Sequence, residues 1–195
     1  MLNVPVLASS SVHFVGGVLL AELLGPALGV LTMSAVLVLQ AVLLGDGGLL
    51  ALGTNVTNMA LLPAGSLLLA RRLMSNRSLA VTAAATLSIA LAVALVSVEI
   101  ALGRSSAELA QWSSFVSAML TNHLPLLPLE GALTLVIAAL WQQEKVRQRS
   151  TWRAPAIAAT AAIVLGLMAT AVSSTLPDGY ESAAAAAEMS WLLGH

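Results

Sequence analysis

The sequence predicts an all-α fold, a polytopic membrane helical bundle of about six membrane helical segments. Of its 195 residues, 58% are hydrophobic and only 9% are charged, and the mean hydropathy is +0.93. A soluble domain carries roughly 25% charged residues, so water is not the main solvent of this chain. A hydrocarbon core about 30 Å thick requires about 20 apolar residues in a helix. The uncharged stretches are 23–45, 47–70, 78–98, 109–129, 131–143 and 154–177.

The membrane segments follow from these stretches. Full-length helices are predicted near 27–44, 55–73, 79–102, 124–142 and 154–173. The preceding piece, 13–24, is only about 18 Å long at 1.5 Å per residue, which suits a half-crossing or a short tilted helix that ends at Gly25-Pro26. Segment 107–123 is rich in Gln, Ser, Thr and Asn. We interpret it as re-entrant or lying along the outer interface, broken at Pro125, with an ordinary seventh crossing as the alternative.

Basic residues set the predicted orientation in the plasma membrane. They form two clusters, Arg71, Arg72 and Arg77, and Lys145, Arg147, Arg149 and Arg153. The positive-inside rule places both clusters in the cytoplasm. The 45–54 loop and the tail 173–195, with a Pro-Asp-Gly turn and an alanine-rich helix, are then extracytoplasmic, and Glu99 and Glu108 flank the outer surface. We expect two units, a membrane domain over 1–172 and this tail.

A glycine-rich turn interrupts the apolar pattern in the outer loop. Asp46 stands beside Gly47 and Gly48, which allow tight backbone folding, and its carboxylate can accept hydrogen bonds from the amides of the turn. Asn55 follows at the predicted start of the next helix, where asparagine is a good N-cap. The pattern is typical of a well-formed turn, and the alternative interpretation is the shaped outer wall of a ligand site.

Several polar residues lie inside or close to the predicted membrane segments. His13 stands at the predicted outer start of the first helix, and imidazole is a common metal ligand, although a lone histidine is often only hydrogen-bonded. For His123 and Glu130, in "NHLPLLPLEGAL", we favour a structural role, because the nearby prolines free backbone carbonyls that polar groups can satisfy. Asn58 is expected to face the interior, and Glu22 is expected to reach the inner interface.

Several function classes find no support in the sequence. It contains no cysteine, which excludes disulfides and thiolate metal sites. The net charge of −1 argues against a nucleic-acid partner held through phosphates. The motifs HExxH, GxSxG, GxGxxG and the P-loop do not occur. We therefore expect a non-catalytic protein, and any ATP hydrolysis would belong to another subunit.

Longer stretches of the sequence resemble a known family. "MLNVPV" and the run from "HFVGG" to "GDGGLLALGTNVTNMALLPAG" resemble the membrane substrate-binding subunit of energy-coupling-factor cobalt/nickel transporters, of the CbiM/NikM type. "NHLPLLPLEGALT" resembles a later segment of that family more loosely. "SSTLPDGYE" is similar to the PDGLE-type tail that accompanies such subunits, with Tyr180 in place of the usual leucine. The resemblance is strongest over 1–73.

The resemblance implies uptake of Co²⁺ or Ni²⁺ as the transported ligand, with no resident cofactor. In the family, nitrogen ligands come from the N-terminal amine, from a histidine at the second position and from the histidine that His13 matches. Here Leu2 follows Met1, and "MLNVPV" matches an internal stretch of the family. We therefore expect either a start upstream of Met1 or a shortened form, in which His123 or Asn58 would have to compensate.

The resemblance also implies partners. They are a membrane coupling subunit, two ATPase subunits and a separate small membrane subunit. The alternative function is that of a shortened assembly or scaffold subunit that no longer binds metal.

Overall fold

The computed structural model describes residues 2–7, 10–44, 49–102, 111–147 and 179–188. Within this part of the chain the fold is dominated by helices, and three helical stretches are long and apolar enough to cross a membrane: Pro26–Leu43, Arg77–Leu102 and Trp112–Gln143. The predicted all-α membrane fold is confirmed. The predicted helix 154–173 and the turn residues Asp46, Gly47 and Gly48 lie outside the described residues.

The chain begins with a β-hairpin that the sequence did not predict. Strand β1 (Leu2–Leu7) pairs antiparallel with β2 (Ser10–Phe14), so that Asn3 lies opposite His13. The prediction of a helix starting at residue 13 is therefore wrong. The local sequence "SSVHFV" is rich in residues that favour strands, and Gly16, at φ 72°, adopts the left-handed conformation in which the chain turns into the first helix.

Two short helices follow and pack closely against each other. Helix α1 (Gly17–Leu24) is separated from α2 (Pro26–Leu39) by Gly25, which has a φ of 89°. A proline at the first position of α2 suits a helix start, so the predicted break at this dipeptide is confirmed. Gly29 permits the close approach, because a Cβ at this position would lie 2.7 Å from the Cα of Ala21.

The next helical run contains an irregular turn. Helix α2 continues into a π-helical turn, Gln40–Leu44. After the loop, α3 (Leu52–Val56), a second π-helical turn (Thr57–Leu61) and α4 (Leu62–Leu73) form one run that covers the predicted segment 55–73. We call Thr57–Leu61 the π turn.

The next three helices form an antiparallel arrangement in which α5 packs against α6 and α7 taken together. Helix α5 (Arg77–Leu102) packs against α6 (Trp112–His123) and α7 (Leu126–Arg147), which are joined by a turn at 124–125. As the chain proceeds from α6 to α7, the residues of α5 that it contacts have lower sequence numbers, which shows that the two arms run in opposite directions. Trp112 Nε1 donates to the carbonyl of Ser97 at 3.0 Å, and Thr86 Oγ1 donates to the carbonyl of Leu127 at 3.1 Å.

This order changes the interpretation of segment 107–123. Its described part, α6, runs along α5, and α7 continues in the same direction, so the two helices form one bent pass. The predicted break at Pro125 is confirmed, and the placement of α6 along the outer interface or as a crossing of its own stays a prediction.

The described part of the tail is helical, as the alanine-rich composition predicted. Helix α8 (Gly179–Ala186) packs on α6, and the ring of Tyr180 meets the ring of Phe115 edge to face, with centroids 5.8 Å apart. Small side chains allow this close contact, and Ala183 and Ala184 are fully buried beside Phe115 and Met119.

Helix α1 lies at the centre of the described bundle. It contacts α2, α4, α5 and α7, and its Val18 and Ala21 are each only 1% exposed. By contrast, α2 leaves Leu28 and Leu31 58% and 65% exposed, as expected for a helix that presents leucines to lipid.

Candidate functional site

The connection between β2 and α1 is held by a buried carboxylate. We call Val15 and Gly16 the β2–α1 link; it begins two residues after His13. Glu130 of α7 accepts hydrogen bonds from the backbone N–H of Gly16 at 2.8 Å and of Val15 at 3.2 Å, one on each carboxylate oxygen. Glu130 is only 2% exposed. A residue of α7 therefore fixes the backbone that follows the predicted metal ligand.

The chemistry of a helix start explains this contact. The first N–H groups of a helix have no partner within the helix, and Gly16, the N-cap of α1, has no side chain to cap them. A negative charge at this end also interacts favourably with the helix dipole. The sequence predicted that Glu130 has a structural role, in which it satisfies backbone carbonyls freed by the nearby prolines. The structure instead shows its carboxylate accepting from N–H groups of a distant segment.

The π turn approaches the start of α1 from another direction. Proline has no amide hydrogen, so Pro63 cannot donate to the carbonyl of Met59, four residues earlier. The start of α1 lies against this released carbonyl, and a Cβ on Gly17 would overlap the Met59 oxygen and come within 2.9 Å of the Pro63 ring. Val15 also packs on the apolar cluster that includes Ala60. The β2–α1 link and the first residue of α1 are thus held between α7 and the π turn.

The π turn also carries Asn58, which is 6% exposed, as the sequence predicted for an inward-facing residue. Its Nδ2 lies 3.5 Å from the carboxylate of Glu99 on α5, and its Oδ1 is buried without a hydrogen-bond partner in the described part of the chain. Sequence reasoning assigned Glu99 to the outer surface and missed this pairing. The available signal was that Glu99 lies within the predicted membrane segment 79–102.

At the far end of α1, Glu22 is buried and paired. Its carboxylate binds Arg71, at the end of α4, and accepts a hydrogen bond from Nε of Arg77, at the start of α5, at 2.7 Å. The Glu22 side chain is 1% exposed, whereas those of Arg71 and Arg77 are 34% and 56% exposed. The expectation that Glu22 reaches the interface is wrong, because the two arginines extend inward to it.

The remaining candidates lie elsewhere. Asn55 is the fourth residue of α3, and its backbone N–H bonds to the carbonyl of Ala51, so the prediction that it caps the helix is wrong: the turn at 49–51 starts the helix earlier. His123 Nδ1 lies 2.9 Å from the carbonyl of Met119 in its own helix and lines an apolar pocket between α5 and α6. Among the side chains that the structure describes, no three His, Asp or Glu residues form a group suited to a metal ion.

The helices and the carboxylate-held link define a polytopic helical membrane protein with a fixed strand-to-helix connection at its centre. The model of the family described as the cobalt uptake substrate-specific transmembrane region matches residues 1–147, and the chain belongs to this family.

Several named proteins are similar to the chain. The "Putative metal transport protein" of Haloquadratum walsbyi is 41% identical over 140 residues, which cover 69% of this chain and 62% of that protein. The "Cobalt transport protein CbiM" of Clostridium tetani is 32% identical over 141 residues, or 70% and 58% of the two chains. The "Fused nickel transport protein NikMN" of Rhodobacter capsulatus is 42% identical over 60 residues, or 31% and 17%.

The chain thus spans less than two thirds of the length of these relatives. No solved structure matches it significantly.

Proposed function

We propose that this chain is the substrate-binding membrane subunit of an importer of the energy-coupling-factor type, which takes up divalent cobalt or nickel. Membership of the cobalt uptake family and the names of its cobalt and nickel transport relatives support the choice of cargo. The structural observation that supports the proposal is the pair of hydrogen bonds that Glu130 accepts from the β2–α1 link, because they fix the backbone directly after His13.

In this proposal His13 supplies a nitrogen ligand to the ion. Imidazole and amine nitrogens suit Ni²⁺ and Co²⁺, and they ligate in their neutral forms, so binding weakens in acid. The resemblance to the family assigns the other nitrogen ligands to an N-terminal amine and to a histidine beside it. The hairpin, the link and α1 would then act as a rigid support that presents the imidazole to the incoming ion.

The remaining parts of the proposal concern the membrane and the partners. The arginines at the end of α4 and the start of α5 would face the cytoplasm, which places the 45–54 loop and the tail outside the cell. A membrane coupling subunit and two ATPase subunits would dock on this chain, together with a small membrane subunit. ATP would be hydrolysed by those partners.

Uptake of radioactive nickel and cobalt by cells that carry the complete operon tests the function. We expect His13→Ala to lower the uptake rate by more than about 10-fold, since loss of even an outer-shell partner of a metal site costs about that much. His195→Ala, at the other end of the chain, is the matched control and should leave uptake unchanged. Normal uptake by the His13→Ala variant at equal membrane expression would overturn the assignment of this ligand.

Calorimetric titration separates this function from the alternative one. A subunit that binds substrate gives saturable heat when nickel or cobalt chloride is added to the purified protein. A shortened assembly or scaffold subunit would give none, even if uptake by the whole complex depended on its presence.

A further inference from the structure

We infer that Glu130 is the positioning residue of the cation site: its carboxylate holds the β2–α1 link behind His13 and supplies a buried negative charge that favours a divalent ion. This inference rests on the proposed function and extends it to a residue outside the expected ligand set. Glu130 lies 114 and 115 residues away in sequence from its two hydrogen-bond donors. It therefore joins α7 to a segment that no local interaction would hold.

The charge of Glu130 is the first argument. A buried carboxylate is costly unless it is paired, and a neutral glutamine or serine would also accept a hydrogen bond from a helix N-terminus at lower cost. The ion pairs found among the fully described side chains are those of Glu22 with Arg71 and Arg77. A divalent cation close to the link would offset the cost of burying this charge, which explains why the position carries an acid.

The position of Glu130 is the second argument. His13 lies on β2, and an extended strand advances about 3.3 Å per residue, so its Cα is within about 7 Å of the Cα of Val15. The Glu130 carboxylate is bonded to the N–H of Val15, so it lies close to the backbone that carries His13, and an acid near a site of low dielectric constant favours a divalent cation there. The two hydrogen bonds also fix the direction in which β2 enters α1, which sets the position of the backbone that carries His13.

The same helix supplies a matched control. Thr134 lies one turn beyond Glu130 on α7, is fully buried, and has an Oγ1 without a hydrogen-bond partner in the described part of the chain. Thr134→Val changes a buried polar group of the same helix with almost no change in shape. It should therefore report the effect of any general disturbance of α7.

Nickel chloride titrated into the purified full-length protein provides the test. We expect Glu130→Gln to raise the Kd for nickel by about 10-fold to 100-fold, the range found when outer-shell partners of a metal site are removed. The visible absorption spectrum of bound nickel should also shift, because the ligand would no longer be held in one orientation. Thr134→Val should change neither quantity.

Two results separate the inference from the proposed function. If the unaltered protein binds nickel and Glu130→Gln binds it with the same Kd and spectrum, the inference is overturned while the proposed function stands. If the unaltered protein binds neither nickel nor cobalt, both fall.

A measurement without any variant covers the case in which Glu130→Gln does not fold. Hydrogen exchange of the unaltered protein should slow at the amides of Val15 and Gly16 when nickel is added, because the ion stabilises the segment that Glu130 holds. Unchanged exchange at these amides under saturating nickel would contradict the inference.

Discussion

The two ends of α1 are both held by buried carboxylates, but the partners differ in kind. At one end, Glu22 is matched by the guanidinium groups of Arg71 and Arg77. At the other end, Glu130 accepts hydrogen bonds from uncharged backbone N–H groups and has no cationic partner among the described side chains. An eight-residue helix is thus fixed at one end by an ion-paired cluster of one carboxylate and two guanidinium groups, and at the other by a carboxylate that accepts from backbone N–H groups.

This difference between the partners of Glu22 and Glu130 suggests different roles for the two acids. A buried ion pair can often be replaced by apolar residues without loss of stability, whereas breaking it on one side is costly. The carboxylate of Glu130 has backbone hydrogen bonds and the helix dipole in place of a cationic partner, and an ionisable group inside a membrane segment is a functional candidate by default. The comparison ties Glu22 to the packing of α1, α4 and α5, and it agrees with the proposal that Glu130 belongs to the cation site.

The largest expected effect on stability comes from Glu22→Ala, which leaves two arginines without their partner. Removal of one side of a buried ion pair costs about 3–5 kcal/mol, and we expect the lower end because both arginines are more than a third exposed and can turn towards water. Thermal unfolding of the purified protein in detergent measures this loss. Arg72→Ala, at an exposed position beside Arg71 on α4, is the control and should change stability by less than about 0.5 kcal/mol.

A double variant sharpens this prediction. Replacing Glu22 and Arg71 together by methionine should recover most of the stability that Glu22→Met loses, because Arg77 is exposed enough to be solvated. If the double variant is as unstable as Glu22→Met, the unpaired Arg71 is not the cause of the loss, and the prediction is contradicted.

Much of the helical framework could be predicted from the sequence, because the spacing of charges reports directly on burial in lipid. The break at Gly25-Pro26 and the break at Pro125 were equally readable, since proline and glycine act locally. The hairpin was not predicted, because "SSVHFV" is too short for periodicity to distinguish a strand from a helix. The end of the hairpin, from residue 13, was therefore assigned to the first helix.

The candidate site was less predictable than the helices because its contacts are distant in sequence. His13 and Asn58 were identified as polar residues in apolar surroundings, but the partners of Glu22 lie 49 and 55 residues away from it. The link held by Glu130 is more distant still. No local pattern reports such pairings, so the roles of both acids were misjudged in detail while their presence was noted.

The second-largest loss of stability is expected at the close contact between the start of α1 and the π turn. We expect Gly17→Ala to lower the free energy of unfolding by about 1–3 kcal/mol, because the added methyl group overlaps the Met59 carbonyl and the Pro63 ring. Gly65→Ala on α4 is the matched control; its Cβ would meet nothing within 4 Å, so stability should be unchanged or rise by up to about 1 kcal/mol. Equal stabilities of the two variants in chemical unfolding would show that the π turn does not hold α1.

The smallest effect on stability is expected for Glu99→Gln. Its contact with Asn58 is long, at 3.5 Å, and a hydrogen bond of ordinary strength contributes only about 1 kcal/mol, so we expect a loss below that value. Nickel uptake should also remain close to normal, because the comparison assigns the negative charge of the cation site to Glu130. A loss of uptake as large as that expected for His13→Ala, with unchanged thermal stability, would extend the site to α5. The Oδ1 of Asn58, which is buried without a hydrogen-bond partner in the described part of the chain, would then be a candidate oxygen ligand.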